Sequence, residues 1–151
     1  MDLVERKYRK PVQGTTVAFC ATHWYYASMN YLLVFLGGGL GATARYWLQG
    51  IVHRFTGSEF PYGTLTVNVL GCLCIGVFMS VFEERFVVSP ALRVFLTIGI
   101  LGGFTTFSSF SFETLALLRD GEIMLGFANV ALSVVTCLGA TWCGLVIGKF
   151  I

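Results

Sequence analysis

Long runs without a charged residue, separated by short charged interruptions, set the rhythm of this chain. No Asp, Glu, Lys or Arg occurs from Gly63 to Phe82, from Val94 to Phe112, or from Ile123 to Gly148. Each run is close to the roughly 20 residues that cross a hydrocarbon core about 30 Å thick. A further run starts at Tyr31 and meets Arg45, and its apolar character continues to Val52. The pattern predicts an all-α membrane protein with four transmembrane helices, at about 31–54, 63–82, 91–118 and 122–149. The runs are continuous and lack the apolar/polar alternation of barrel strands, which argues against a membrane β-barrel. The connections, Phe55 to Tyr62, Glu83 to Pro90 and Arg119 to Gly121, leave no room for an extramembrane enzyme domain.

The third helix carries an anomaly. Gly102 to Phe112 reads GGFTTFSSFSF, a glycine pair followed by five hydroxyls in a segment that lipid would leave without hydrogen-bond partners. The sequence predicts that Gly102-Gly103 unwinds the helix and that Thr105 or Thr106 caps a restarting one. Such a break exposes carbonyls at one half-end and amide N–H groups at the other. Carbonyls inside a protein suit a hard cation such as Na⁺. Beyond the break, Phe107 and Phe110 share a helix face, and the positive edges of their rings can contact a dehydrated anion. Taken alone such a pair reads as core packing; the flanking Thr105, Thr106, Ser108 and Ser109 on a broken helix are what favour the anion reading.

Composition supports the membrane assignment: 56% of residues are hydrophobic and 12% charged. The net charge of +2 implies no nucleic-acid partner, because no basic cluster lies outside the first ten residues. Of five cysteines, Cys72, Cys74, Cys137 and Cys143 fall in the spans and Cys20 precedes them. None has zinc or CxxC spacing, so all read as small buried apolar residues. Residues 1–28 read as an N-terminal extension, either disordered or a mis-called start, ahead of a four-helix transmembrane domain at 29–151. Their apolar patch is interrupted by Thr15, Thr16, Thr22 and His23, which makes a poor signal peptide.

Charge also bears on orientation. From residue 29 onward, Arg85, Arg93 and Lys149 lie on one side of the predicted bilayer and Arg45, Arg54 and Arg119 on the other. Three against three gives the positive-inside rule no preference, which allows insertion in both orientations and an antiparallel homodimer. Arg6, Lys7, Arg9 and Lys10 would tip that balance.

Polar residues inside the spans are the remaining candidates. Gly37 to Tyr46 reads GGGLGATARY; its small residues four apart, Gly37/Gly41 and Gly38/Ala42, suit close helix packing. A dinucleotide fingerprint is excluded there, since no βαβ unit surrounds it. Arg45 must snorkel, pair or face water. Thr64 and Asn68 share a face of the second helix, where Asn68 serves either as an interhelical hydrogen bond or as an anion donor. Asn129, Ser133 and Cys137 form a stripe on the fourth helix, with Thr136 and Thr141 near it. Glu113 is the one carboxylate inside a span, a functional candidate unless it reaches water at the helix end.

From about Tyr31 to Ile151 the chain resembles the CrcB/Fluc family of fluoride channels. The matching motifs are GGGLGATARY (37–46), FPYGTLTVN (60–68) with Gly71, and GGFTTFSSF (102–110). The resemblance implies an antiparallel, dual-topology homodimer in the cell inner or plasma membrane that exports fluoride passively. It implies a structural Na⁺ at the dimer centre, held by the backbone carbonyls of Gly102 and Thr105. It assigns the fluoride pore to Asn68, Phe107 and Phe110, with Thr64, Ser108, Ser133, Asn129 and Glu113 along a polar track and Arg45 in the vestibule. Cys137 replaces a hydroxyl at the end of that track. The main rival is a small four-span, dual-topology drug/proton antiporter, which needs an acidic residue in the first span, and this span has none. A structural subunit leaves Asn68, the broken helix and the Ser/Thr/Phe cluster without a common explanation. Enzymatic function is excluded by the lack of a nucleophile–base pair or metal spacing.

Overall fold

The computed structural model describes residues 13–84 and 88–151, with side chains from residue 28 onward apart from 84–87. Every regular element among the described residues is a helix. Helix α1 runs from Gln13 to Thr56 with no interruption at Met29, and ends where Gly57 turns to φ 75° with its N–H on the His53 carbonyl. That left-handed conformation is one a glycine adopts without a β-carbon clash. The Phe60-Pro61 step then directs the chain into α2, Tyr62–Glu84.

The third apolar run is built from several pieces. Ser89 caps the short α3, Pro90–Arg93, by accepting the Leu92 N–H, and Pro90 sits where no N–H is required. A π-helical stretch, Val94–Leu101, follows, and then a last α-helical turn, α4, Gly102–Phe104. Thr105 and Thr106 are extended, and α5, Phe107–Arg119, restarts from Thr106. Gly121, at φ 85°, turns the chain into α6, Ile123–Gly148.

The break therefore lies later than the glycine pair. Gly102 has φ −62° and ψ −36°, ordinary helix, and the unwound residues are the two threonines. The glycines serve proximity instead: a β-carbon on Gly103 would overlap the Gly38 carbonyl oxygen. Threonine suits the extended conformation through its branched β-carbon, and its hydroxyl supplies the cap.

Two helix pairs result. Helix α1 packs along residues 94–104, where β-carbons on Gly37 or Gly41 would strike the Phe95 and Ile100 carbonyl oxygens. Helix α2 packs most extensively against α6 and runs parallel to it, with Gly76 against Thr141 and Gly144 against Leu73. Of the two small-residue pairs, Gly37/Gly41 is used as the sequence suggested, whereas a β-carbon on Gly38 would meet nothing and that residue offers its backbone to Gly103 instead.

The interior is small and polar, while the exterior is apolar. Buried side chains include Thr64, Thr106, Thr114, Asn129 and Ser133, but among the described large apolar residues only Phe60, Val67, Phe82 and Leu101. Phe35, Phe112 and Trp142 face outward. This arrangement is inverted relative to a water-soluble domain and suits helices surrounded by lipid. Three segments, Tyr62–Glu83, Pro90–Arg119 and Ile123–Gly148, are long and apolar enough to cross a bilayer. The first predicted span, 31–54, lies on α1, where the Gly37–Gly41 cluster and Arg45 dilute the hydropathy. The cysteines depart from the buried reading: Cys72, Cys74 and Cys137 are half-buried and Cys143 is exposed, all as free thiols. Cys20 lies outside the described side chains.

Candidate functional site

The site is organised around Thr106. Its backbone N–H donates to Asn68 Oδ1 at 2.8 Å, and its carbonyl accepts from Asn68 Nδ2 at 3.1 Å. A single side-chain amide on α2 thus satisfies both main-chain groups of an unwound residue, as buried backbone requires. The Thr106 hydroxyl accepts the Ser109 N–H at 3.2 Å, capping α5, and donates to Ser109 Oγ at 3.1 Å. The interhelical reading of Asn68 is the one these bonds bear out: one amide hydrogen and the carbonyl are engaged, and the NH2 carries a second hydrogen.

These bonds release two carbonyls. In an uninterrupted helix the Gly102 carbonyl would accept from Thr106 N–H, which goes to Asn68 instead. The Thr105 carbonyl would accept from Ser109 N–H, which goes to the Thr106 hydroxyl. The Thr105 carbonyl receives Arg45 Nη1 at 3.3 Å, so Arg45 pairs inward rather than snorkelling outward. Behind it, the Thr105 methyl lies over Gly71, where a β-carbon would collide with it.

On the far side of the break, the Phe107 and Phe110 rings lie 5.4 Å apart, inclined by 45°. They border a groove of about 520 Å³ together with Asn68, Thr106, Ser133 and Cys137. The Ser108 hydroxyl is 3.2 Å from that of Thr106. Phe107 is 78% exposed, so its ring is available to whatever enters the groove.

A second cavity, of about 870 Å³, opens at the other end of α2 and includes Thr43, His53, Glu59, Thr64 and Glu113 in its lining. Gln49 also lines it, and its Nε2 donates to Thr64 Oγ1 at 3.1 Å. Thr64 in turn donates to Glu113 Oε1 at 2.7 Å. A hydroxyl has one hydrogen, and that of Thr64 is committed to the carboxylate. Toward an anion, the free donor at this level is the second amide hydrogen of Gln49. Sequence reading missed Gln49, although it stands one turn after Arg45 on the same helix face. Glu113 is tied to Thr64 rather than dangling at a helix end, and its Oε2 is buried without a hydrogen-bond partner.

The fourth-span candidates divide. Ser133 borders the groove, whereas Asn129 is 2% exposed and donates to Thr114 Oγ1 at 2.9 Å. Thr114 then donates to the Phe110 carbonyl at 2.7 Å. Asn129 thereby fixes α5 to α6 behind the phenylalanine and does not border the groove. Thr136 and Thr141 hydrogen-bond to carbonyls of their own helix, those of Leu132 and Cys137.

The fold and these motifs have known counterparts. Residues 32–145 match the family described as CrcB-like protein, Camphor Resistance (CrcB). The fluoride-specific ion channel FluC of Geotalea uraniireducens is 51% identical over 119 residues, covering 79% of this chain and 94% of the relative. That of Methylocella silvestris is 50% identical over 121 residues, covering 79% and 92%. That of Flavobacterium psychrophilum is 45% identical over 114 residues, covering 76% and 92%. With the match extending over the first helix, both cavities and the broken third segment, the chain belongs to the CrcB family.

Proposed function

We propose that this chain is a fluoride-selective ion channel that lets fluoride leave the cytoplasm passively and so reduces its toxicity. The relatives named above are fluoride-specific ion channels, and shared family membership brings that function to this multi-pass membrane protein, which is not an enzyme. The observation that carries the reading is the groove beside Thr106. A spare Asn68 amide hydrogen, the Ser133 side chain and two aryl edges converge there without a cationic side chain.

Fluoride is small and strongly hydrated, so a narrow passage must replace its water with donors. An amide, hydroxyls and ring edges do this, whereas a full positive charge would hold the ion too tightly to release it. The path begins in the aqueous cavity at Gln49, Thr64 and Glu113 and continues along Asn68, Ser108, Phe107, Phe110 and Ser133. The Thr64–Glu113 bond makes Gln49 the donor at the wide end, and Asn129 contributes by holding α5 in place. Protonated fluoride crosses membranes unaided and ionises at cytoplasmic pH, so a passive pore gives the trapped anion a way out.

The working unit is an antiparallel homodimer of four-span subunits, with 29–151 as the channel domain and 1–28 outside it. The balanced arginines support insertion in both orientations, and α1 supplies the fourth crossing. The Gly102 and Thr105 carbonyls fit a structural Na⁺ at the dimer centre. They are uncharged hard oxygen donors relieved of their helical partners. Arg45 occupies one lone pair of the Thr105 oxygen and leaves the other available. Bound there, the cation would supply a fixed positive charge that holds the two breaks together.

Purified protein in liposomes, under a potassium-clamped gradient, should pass fluoride and exclude chloride. Fluoride efflux no faster than from empty liposomes would sink the proposal.

A further inference from the structure

Cys72 has no role in the path described above and Cys137 stands only where the resemblance puts a hydroxyl, yet both line its wall. Each lies one turn beyond a groove residue, Cys72 after Asn68 on α2 and Cys137 after Ser133 on α6. The parallel register of those helices brings them level. Gly76 packs into the turn between Thr141 and Leu145, so one turn earlier position 72 packs against the turn that Cys137 opens. Both side chains line the same groove. Both thiols are free and half-buried. No third His, Cys, Asp or Glu joins them among the described residues.

Two facing thiols without a third ligand select a narrow class of ion. Zinc requires four ligands and hard cations require oxygen, whereas soft d¹⁰ cations accept two sulfurs. We propose that Cys72 and Cys137 form a two-coordinate site for a soft metal cation in the wall of the groove, and that filling it obstructs the ion path. With Hg²⁺ as the probe, two S–H bonds break, two S–Hg bonds form, and two protons leave to water. No electron is transferred. The product is neutral, so the apolar wall imposes no charge-burial cost. It also replaces two thiols with a rigid bridge one turn from Asn68 and Ser133. The metal site stands on the thiol geometry alone, whereas the obstruction rests on the fluoride reading.

The test uses the full chain carrying Cys20→Ser, Cys74→Ser and Cys143→Ser, which leaves only the proposed pair. One equivalent of HgCl2 should protect both remaining thiols from N-ethylmaleimide, and the metal should persist through desalting in excess monothiol. Adding Cys72→Ser or Cys137→Ser should abolish that retention, with the size-exclusion profile confirming an intact fold. In liposomes, mercury should slow fluoride efflux about tenfold, and a dithiol should restore it. Each thiol taking its own mercury, or a single-thiol variant retaining the metal, overturns the site. Retention with unchanged efflux overturns the obstruction. Absence of efflux before mercury is added would instead count against the fluoride reading while leaving the metal stoichiometry intact.

Discussion

Where α2 meets α6, backbone touches backbone; where α2 meets the break at Thr105–Thr106, a side chain touches backbone. The first seam is made by subtraction. Gly76, Gly144 and Gly148 remove side chains so that two helices approach until only dispersion holds them. The second is made by addition, one amide placed to satisfy the N–H and C=O of a residue that no helix serves. Lipid explains why both exist. Without a hydrophobic drive between helices, affinity must come either from close contact or from polar groups that lipid cannot satisfy. The comparison also separates roles: a contact seam can only hold, while a hydrogen-bonded seam can hold and retain a donor for a ligand.

Substitutions should separate the two seams, beginning with the contact seam. Gly144→Val places atoms where the Leu73 carbonyl already sits. It should cost about 3 kcal/mol, the upper end for overpacking, and abolish the monodisperse peak in detergent size-exclusion chromatography. Retention of that peak with normal thermal stability would remove the close-contact account. Asn68→Leu should cost a comparable amount in folding, about 1–3 kcal/mol for each of the two Thr106 groups left unpaired. Helical content by circular dichroism should survive while fluoride efflux drops at least about tenfold. Were efflux unchanged, Asn68 would be structural only.

Phe107→Ile isolates the anion side of the break, because the exposed ring contributes little to packing within the chain. Stability should move by less than about 1 kcal/mol, with efflux again reduced. An equal loss of both would show that the ring is a packing element. Gln49→Leu is the mildest change. It leaves the Thr64–Glu113 bond in place and removes the amide beside Thr64. Efflux should fall a few-fold at low fluoride and recover at high fluoride, and a uniform reduction would argue against a role in capturing the ion.

Much of this was legible in the sequence, for a specific reason. Charge-free runs and glycine spacing are one-dimensional properties, and the membrane turns them directly into helices and contacts. So the apolar segments, the α1 packing through Gly37 and Gly41, the cap at Thr106 and the facing Phe107 and Phe110 could all be read ahead. The location of the break could not. Gly102-Gly103 looks like the weak point because glycine is flexible, but the cavity-free approach of Gly38 gives Gly103 a different purpose. The direction of a hydrogen bond is also invisible in sequence. Thr64 reads as a donor, and only the presence of Glu113 beside it shows where its hydrogen goes. Asn129 is a similar case, since a polar residue on a stripe does not announce whether it faces a groove or a neighbouring threonine.

The bonds around Thr106 also set how freely this position could drift through evolution. Asn68 reads the main chain of residue 106, which every amino acid except proline provides in full. It is therefore indifferent to the side chain it supports. Only the cap on Ser109 constrains identity, and a cap is met by serine, threonine, asparagine or aspartate. Aspartate would bring a negative charge to the wall of an anion path, which narrows the acceptable set further. A position with five hydrogen bonds in the structure is thus governed, in sequence space, by a single oxygen.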